Sequence, residues 1–144
     1  MLATKILLVD DEEEFLSTLA KRLTARNFSA RKALSGEEAL RELRELPDTD
    51  VVLLDVKMPG MDGIQTLREI KARHPLTEVI MLTGHATIES AVEGMKLGAF
   101  DYLMKPCDME ELSSKAAAAG KKRREHLDKI LAAEGRRLQR KRGL

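Results

Sequence analysis

The sequence predicts an α/β domain of the doubly wound kind, with five parallel strands flanked by five helices. Three observations carry this reading. Short unbroken apolar runs recur at ILLV (6–9), VVLL (51–54), VIML (79–82) and FDYLM (100–104). The first three fit strands buried on both faces of a sheet sandwiched by helices, because a half-exposed strand would alternate apolar and polar residues. The segments between the runs carry apolar residues at helical spacing, and capping signals stand at the starts of most of them.

Taken in order, ILLV forms the first strand. The first helix follows, with Phe15, Leu16, Leu19 and Leu23 on one face and Asp11 and Glu14 at capping-box spacing. A short, charged second strand is read at FSARKA (28–33). Ser35 and Glu38 open the second helix, which buries Ala39, Leu40 and Leu43. After VVLL, Asp62 and Gln65 open the third helix with Ile64, Leu67 and Ile70 inward. VIML gives the fourth strand, 87–97 a helix ended by Gly98, and 100–104 the fifth strand, with Asp108 and Glu111 opening the last helix. Strict β-α alternation implies right-handed crossovers, and in such sheets ligands sit at the carboxyl ends of the strands.

Composition narrows the class. The 144 residues are 43% hydrophobic but only 3% aromatic, so aliphatic side chains must build the core of a globular domain. A single cysteine, Cys107, forms neither an internal disulfide nor a Cys-rich metal site. It suits a reducing compartment, and a cytoplasmic location is expected. No apolar run approaches the roughly 18–20 residues of a membrane span, so no membrane partner is expected. The net charge of +1 conceals a division: residues 120–144 hold ten Lys and Arg against three acids (+7), which leaves 15 against 21 (−6) for residues 1–119. The expected organisation is a domain over 1–119 followed by a basic helical tail or linker over 120–144, with Gly120 and Gly135 as weak points in that helix.

The strand ends collect the chemistry. Asp10 and Asp11 follow the first strand, Asp55 the third and Thr83 the fourth, while Lys105 and Pro106 follow the fifth. Three carboxylates at ~5 Å repel by about 3 kcal/mol per pair at an effective dielectric of ~20. They need a cation or must stay partly protonated. A donor set of oxygens alone suits a hard ion such as Mg²⁺, which keeps waters and accepts phosphate oxygens. Lys105 offers a point charge and Thr83 a hydroxyl to such an oxyanion. Asp55, on the most central strand, is the candidate nucleophile toward phosphorus.

ILLVDDE (6–12), LLDVKMPGMDG (53–63), MLTGHA (81–86) and FDYLMKP (100–106), in this order, resemble the receiver domains of bacterial two-component response regulators. The resemblance covers about residues 4–119 and implies a flavodoxin-like sheet of order 2-1-3-4-5. It further implies that Asp55 accepts a phosphoryl group from a phosphohistidine of a sensor histidine kinase. Asp11, Asp55 and the backbone carbonyl of Lys57 would bind Mg²⁺ directly, and Asp10 through water. Lys105 would pair with the phosphoryl group, Thr83 would swing toward it, and Tyr102 would turn inward as an aromatic switch. The face made by the fourth helix, fifth strand and fifth helix would then change. GHATIESAVEGMKLGAFDYLMKP (84–106) is most similar to receivers that precede an ATPase in enhancer-dependent transcription activators. The chain is therefore expected to be either a stand-alone receiver, with an unidentified downstream protein target, or the N-terminal fragment of an activator without its output domain.

Several residues keep a plainer reading. Asp10 and Asp11 alone would cap a helix, Lys105 before Pro106 shapes a turn that admits a cis bond, and Tyr102 can be simple core. Lys57 and His85 are open between hindering hydrolysis of the phosphoryl group and ordinary surface roles. His74 and His126 read as surface residues, and Cys107 is assigned no chemistry. The tail stays open between a solvated linker helix, a dimer or partner helix and a nucleic-acid contact. The lack of interleaved aromatics counts against the last. A phosphatase with an Asp nucleophile would need a second acid two residues later, where this chain has Lys57, so a phosphoacceptor rather than a turnover enzyme is expected.

Overall fold

The computed structural model describes residues 3–141. Strands β1 (Lys5–Val9), β2 (Ser29–Ala33), β3 (Val51–Leu54), β4 (Glu78–Thr83) and β5 (Asp101–Met104) alternate with helices α1 (Glu13–Thr24), α2 (Gly36–Glu45), α3 (Gly63–Arg73), α4 (Ile88–Lys96) and α5 (Met109–Lys141). All strand pairs are parallel and the order is β2-β1-β3-β4-β5. This is the doubly wound, flavodoxin-like architecture that the sequence implies, with the helical extension attached.

The unbroken apolar runs have a direct cause, because each central strand feeds two cores. Leu7, Val9, Val52, Leu54, Val79 and Met81 face α2 and α3. Their neighbours Ile6, Leu8, Val51, Leu53, Ile80 and Leu82 face α1 and α5, whose Leu16, Leu19, Leu23, Leu112 and Ala116 complete the second layer. From β1 the chain adds β2 on one side and then β3 on the other, and this reversal of strand order opens a crevice at the carboxyl ends of β1 and β3.

The helix starts depart from the sequence reading in detail. Asp62 and Gln65 form a full capping box, and Ser35 caps α2 by accepting the Glu38 N–H at 3.1 Å. At α1 no box forms: Glu12 is the N-cap residue and makes no side-chain cap, while Asp10 accepts the Glu12 N–H at 2.9 Å. The Asp11–Glu14 spacing is thus coincidental, since Asp11 stays exposed in the crevice. A second full box, Thr87 with Ser90, opens α4 one residue later than expected. Phe28 and Phe100 fall just outside their strands, packing as partly buried side chains. His74 is half-buried as the C-cap of α3 rather than a free surface residue, and burial lowers its pKa, with Arg73 adding to the effect. Neither Gly120 nor Gly135 interrupts α5. Residues 142–144 of the tail lie outside the described residues.

Candidate functional site

Strand register carries the polar strand-end residues to one edge. Val9 pairs with Leu54, and the Asp55 N–H donates to the Val9 carbonyl at 3.0 Å, so Asp10 and Asp55 leave the sheet on adjacent strands. Thr83 pairs with Met104, and the Lys105 N–H donates to the Thr83 carbonyl at 2.9 Å. The Lys105–Pro106 peptide bond is cis. Asp10, Asp11, Asp55, Thr83 and Lys105 are therefore all at the crevice end of the sheet.

Carboxylate oxygens from Asp10, Asp11 and Asp55 lie within 4.8 Å of one another. Asp10 is buried and already engaged: Oδ1 accepts the Glu12 N–H and Oδ2 meets the Lys105 ammonium at 2.5 Å. Lys105 also stands 3.8 Å from Glu12 Oε1, and its Nζ lies 3.9 Å from the centre of the Phe15 ring. Asp55 is different. It is 3% exposed, and its buried Oδ1 has no hydrogen-bond partner. Burial pushes the Asp55 carboxyl above the usual carboxylate range; the Thr83 hydroxyl and the Lys105 ammonium pull it back, and the Asp10 charge adds to the rise.

A buried oxygen left without a partner is unfavourable by about 1–3 kcal/mol, and more when charged. Two further carboxylates beside it sharpen the demand for a cation. An all-oxygen set of three acids, one of them exposed to the crevice, fits Mg²⁺ rather than a soft metal. The crevice widens into a cleft of about 540 Å³ whose walls include Asp11, Asp55, Lys57 and His85. Lys57 and His85 are exposed, which leaves both side chains free to meet a ligand in the cleft.

The remaining expected residues sit close by. Thr83 is fully buried, and its Oγ1 accepts the His85 N–H at 2.9 Å. Tyr102 is half-buried on β5, its hydroxyl 2.6 Å from Ser90 Oγ on α4. Cys107 is half-buried and its thiol is pushed up by burial, with Glu111 and Asp108 adding to the shift, which disfavours the reactive thiolate.

Three supporting residues escape a reading by motif. Phe15 looks like one more apolar helix residue, yet it carries the Lys105 ammonium on its face. Ser90 is a weak capping signal that turns out to hold Tyr102. Gly63 donates its N–H to the Val56 carbonyl at 2.7 Å, and a Cβ there would lie 2.0 Å from the Asp55 carbonyl oxygen. Only glycine lets α3 start this close to the acid, and its signals in the sequence are its place at the end of LLDVKMPGMDG and directly after the capping Asp62.

A sequence model described as the response regulator receiver domain matches residues 6–117. The chain belongs to that family. Among its relatives, regulatory protein AtoC of Escherichia coli K12 is 40% identical over 109 residues, covering 76% of this chain and 23% of that protein. Transcriptional regulatory protein ZraR of the same organism is 43% identical over 109 residues, again 76% of this chain and 24% of the relative. The receiver thus spans about a quarter of the length of these relatives. A solved receiver domain protein from Clostridium thermocellum superposes with a TM-score of 0.80 at 40% identity, covering 88% of this chain and 98% of that one. The chain is accordingly a receiver domain of two-component signalling, and among its described residues no helix is long and apolar enough to cross a membrane.

Proposed function

We propose that Asp55 is the phosphoacceptor of this receiver and that its phosphorylation by a sensor histidine kinase switches the surface formed by α4, β5 and α5. The observation that carries the reading is the buried, unpartnered Oδ1 of Asp55 at the crevice. An Asp55 carboxylate oxygen forms a bond to phosphorus as the bond from phosphorus to the kinase imidazole nitrogen breaks, and the imidazole leaves with a proton from solvent. Asp10, Asp11, Asp55 and the Lys57 carbonyl would hold Mg²⁺, which when bound supplies positive charge against the phosphoryl oxygens.

The chain's own groups do the rest. Lys105 exchanges Asp10 for a phosphoryl oxygen, moving one ammonium between two anions. Thr83 Oγ1 accepts the His85 N–H, and its hydroxyl, which faces Asp55, would donate its proton to the new oxyanion. Turning Thr83 draws on the His85 N–H and hence on the loop that opens α4 at Thr87. Ser90, in the first turn of α4, then changes its relation to Tyr102, so a local charge event reaches the α4–β5 face. Lys57, two residues after Asp55, supplies no general acid or base for turnover, so the domain acts as a phosphoacceptor that promotes its own phosphorylation and dephosphorylation. By analogy with ZraR, a transcriptional regulatory protein, the downstream output is control of transcription.

Intact mass after incubation with a small acyl phosphate tests this. The wild-type chain should gain one phosphoryl group only when Mg²⁺ is present, and Asp55→Asn should gain none. Equal labelling of the Asn variant would remove Asp55 from the role.

A further inference from the structure

The family match ends at residue 117, but α5 continues as one helix to Lys141. The continuation is held to the domain at the end of the sheet opposite Asp55. At Gly120 a Cβ would lie 2.6 Å from Thr4 Cγ2, so the helix passes close to the side chain of the segment entering β1. Of the four cations that follow, Lys121 pairs along the helix with Glu125, and the other three reach back to the domain. Arg123 Nη1 donates to Asp50 Oδ1 at 3.1 Å and its Nη2 to the Pro47 carbonyl at 3.4 Å. Arg124 Nη1 stands 3.7 Å from Asp50 Oδ2 and donates to Thr4 Oγ1 at 3.2 Å. Lys122 Nζ lies 3.1 Å from Glu78 Oε2 and 5.6 Å from the centre of the Phe100 ring.

The two acids are not surface groups that happen to meet a basic tail. Asp50 is 5% exposed and Glu78 4%. The domain proper satisfies them in part: the Lys5 N–H donates to Asp50 Oδ2 at 2.9 Å, and Lys71 meets Glu78 Oε1 at 3.4 Å. The other oxygen of each acid faces a cation from the extension. Buried carboxylates need such partners, and removing one strands the acid it served. Asp50 directly precedes β3 and Glu78 opens β4. The two strands that end at Asp55 and Thr83 thus begin at the acids that grip α5.

We propose that Asp50 and Glu78 form a clasp for Lys122, Arg123 and Arg124, and that this clasp fixes the direction in which the rest of α5 leaves the domain. Residues 125–141 then form an arm about 25 Å long at 1.5 Å rise per residue. With no hinge at Gly120, any shift of α5 or β4 is delivered to the far end of the arm instead of being absorbed where the domain ends. The basic segment is therefore a domain-bound lever root, which neither a solvated linker nor a nucleic-acid contact would require.

Hydrogen exchange by mass spectrometry on the full chain tests the clasp, with spin labels at Ser17 and Leu138 in a Cys107→Ser background reporting the arm's direction. Amides 121–127 should exchange at least tenfold faster in a Lys122→Ala, Arg123→Ala double variant, and the label distance distribution should broaden, while β3 and β4 keep their protection. Wild-type amides 121–127 exchanging as freely as an unstructured peptide, or unchanged exchange in the double variant, would overturn the proposal. Should the double variant also lose strand protection, Lys122→Ala and Arg124→Ala decide singly, since each leaves Arg123 on Asp50. Faster exchange confined to the extension supports the clasp, and wild-type exchange in both rejects it.

Discussion

The ammonium of Lys105 rests on Oδ2 of Asp10 and over the ring of Phe15. The cation proposed to meet the phosphoryl group is thus parked on one of the acids proposed to hold Mg²⁺, and the two cations compete for the same carboxylate.

Removing that competitor should strengthen metal binding. Lys105→Met keeps the aliphatic stem but deletes the charge. Loss of one positive charge several ångströms from the ion is worth on the order of 1 kcal/mol at the edge of a solvated cleft, about fivefold in affinity. Titration calorimetry should show Mg²⁺ binding tighter in this variant, while its labelling by acyl phosphate slows. Weaker Mg²⁺ binding would mean that Lys105 supports the metal site instead of opposing it.

The raised carboxyl of Asp55 makes a stability prediction with a definite sign. Burial favours its protonated form in the folded state, so above the ordinary carboxylate range near pH ~4 the folded chain holds more of this proton than the unfolded one. This group's contribution to stability therefore declines as pH rises from that range through the raised value. Asp55→Asn escapes the penalty. In Mg²⁺-free buffer at neutral pH it should melt roughly 3–5 °C above wild type, which corresponds to about 1 kcal/mol for a domain of this size. The gap should close on acidification below pH ~4. A lower melting point for Asp55→Asn at neutral pH would contradict a buried, unpartnered acid.

Tyr102 and Ser90 should be coupled. Their hydroxyls meet at 2.6 Å between β5 and α4. Tyr102→Phe should cost about 1 kcal/mol in urea unfolding and Ser90→Ala more, because it also loses the cap with Thr87, while the double variant should cost little more than Ser90→Ala alone. Additive losses would show that the contact carries no energy of its own.

Gly63→Ala should damage both fold and site. The added methyl meets the backbone of Asp55 and Val56, at 2.0 and 2.6 Å, and backbone cannot step aside as a flexible side chain can. A loss of about 3 kcal/mol is expected in chemical denaturation, with slower phosphorylation in whatever fraction folds. Wild-type stability would require α3 to start farther from Asp55 than it does.

The fold was legible because both of its determinants are local. Unbroken runs as short as VVLL, bounded by polar residues, fit two-faced strands better than helices, and β-α alternation leaves few ways to connect them. The acids of the site were legible for a related reason, since Asp55 after four apolar residues is costly anywhere except at a strand end that opens on a crevice. What stayed hidden depends on residues far apart in the chain. No pattern around Asp50 announces Arg123, and nothing around Lys105 announces Phe15. Gly120, read as a weak point of the helix, instead lies inside an uninterrupted α5 and close against Thr4. The charge of +7 over residues 120–144 was visible, but that Lys122, Arg123 and Arg124 bind the domain depends on the fold.

The most direct test of Asp55 as acceptor is chemical trapping. An acyl phosphate on a carboxylate is reduced by borohydride to an alcohol, converting the labelled aspartate to homoserine, whereas a free carboxylate is untouched. Peptide sequencing of the reduced, acyl-phosphate-treated chain should find homoserine at position 55, dependent on Mg²⁺, and at no other aspartate. Homoserine at Asp10 or Asp11 with Asp55 intact would contradict the assignment and turn the buried Oδ1 into a metal ligand only.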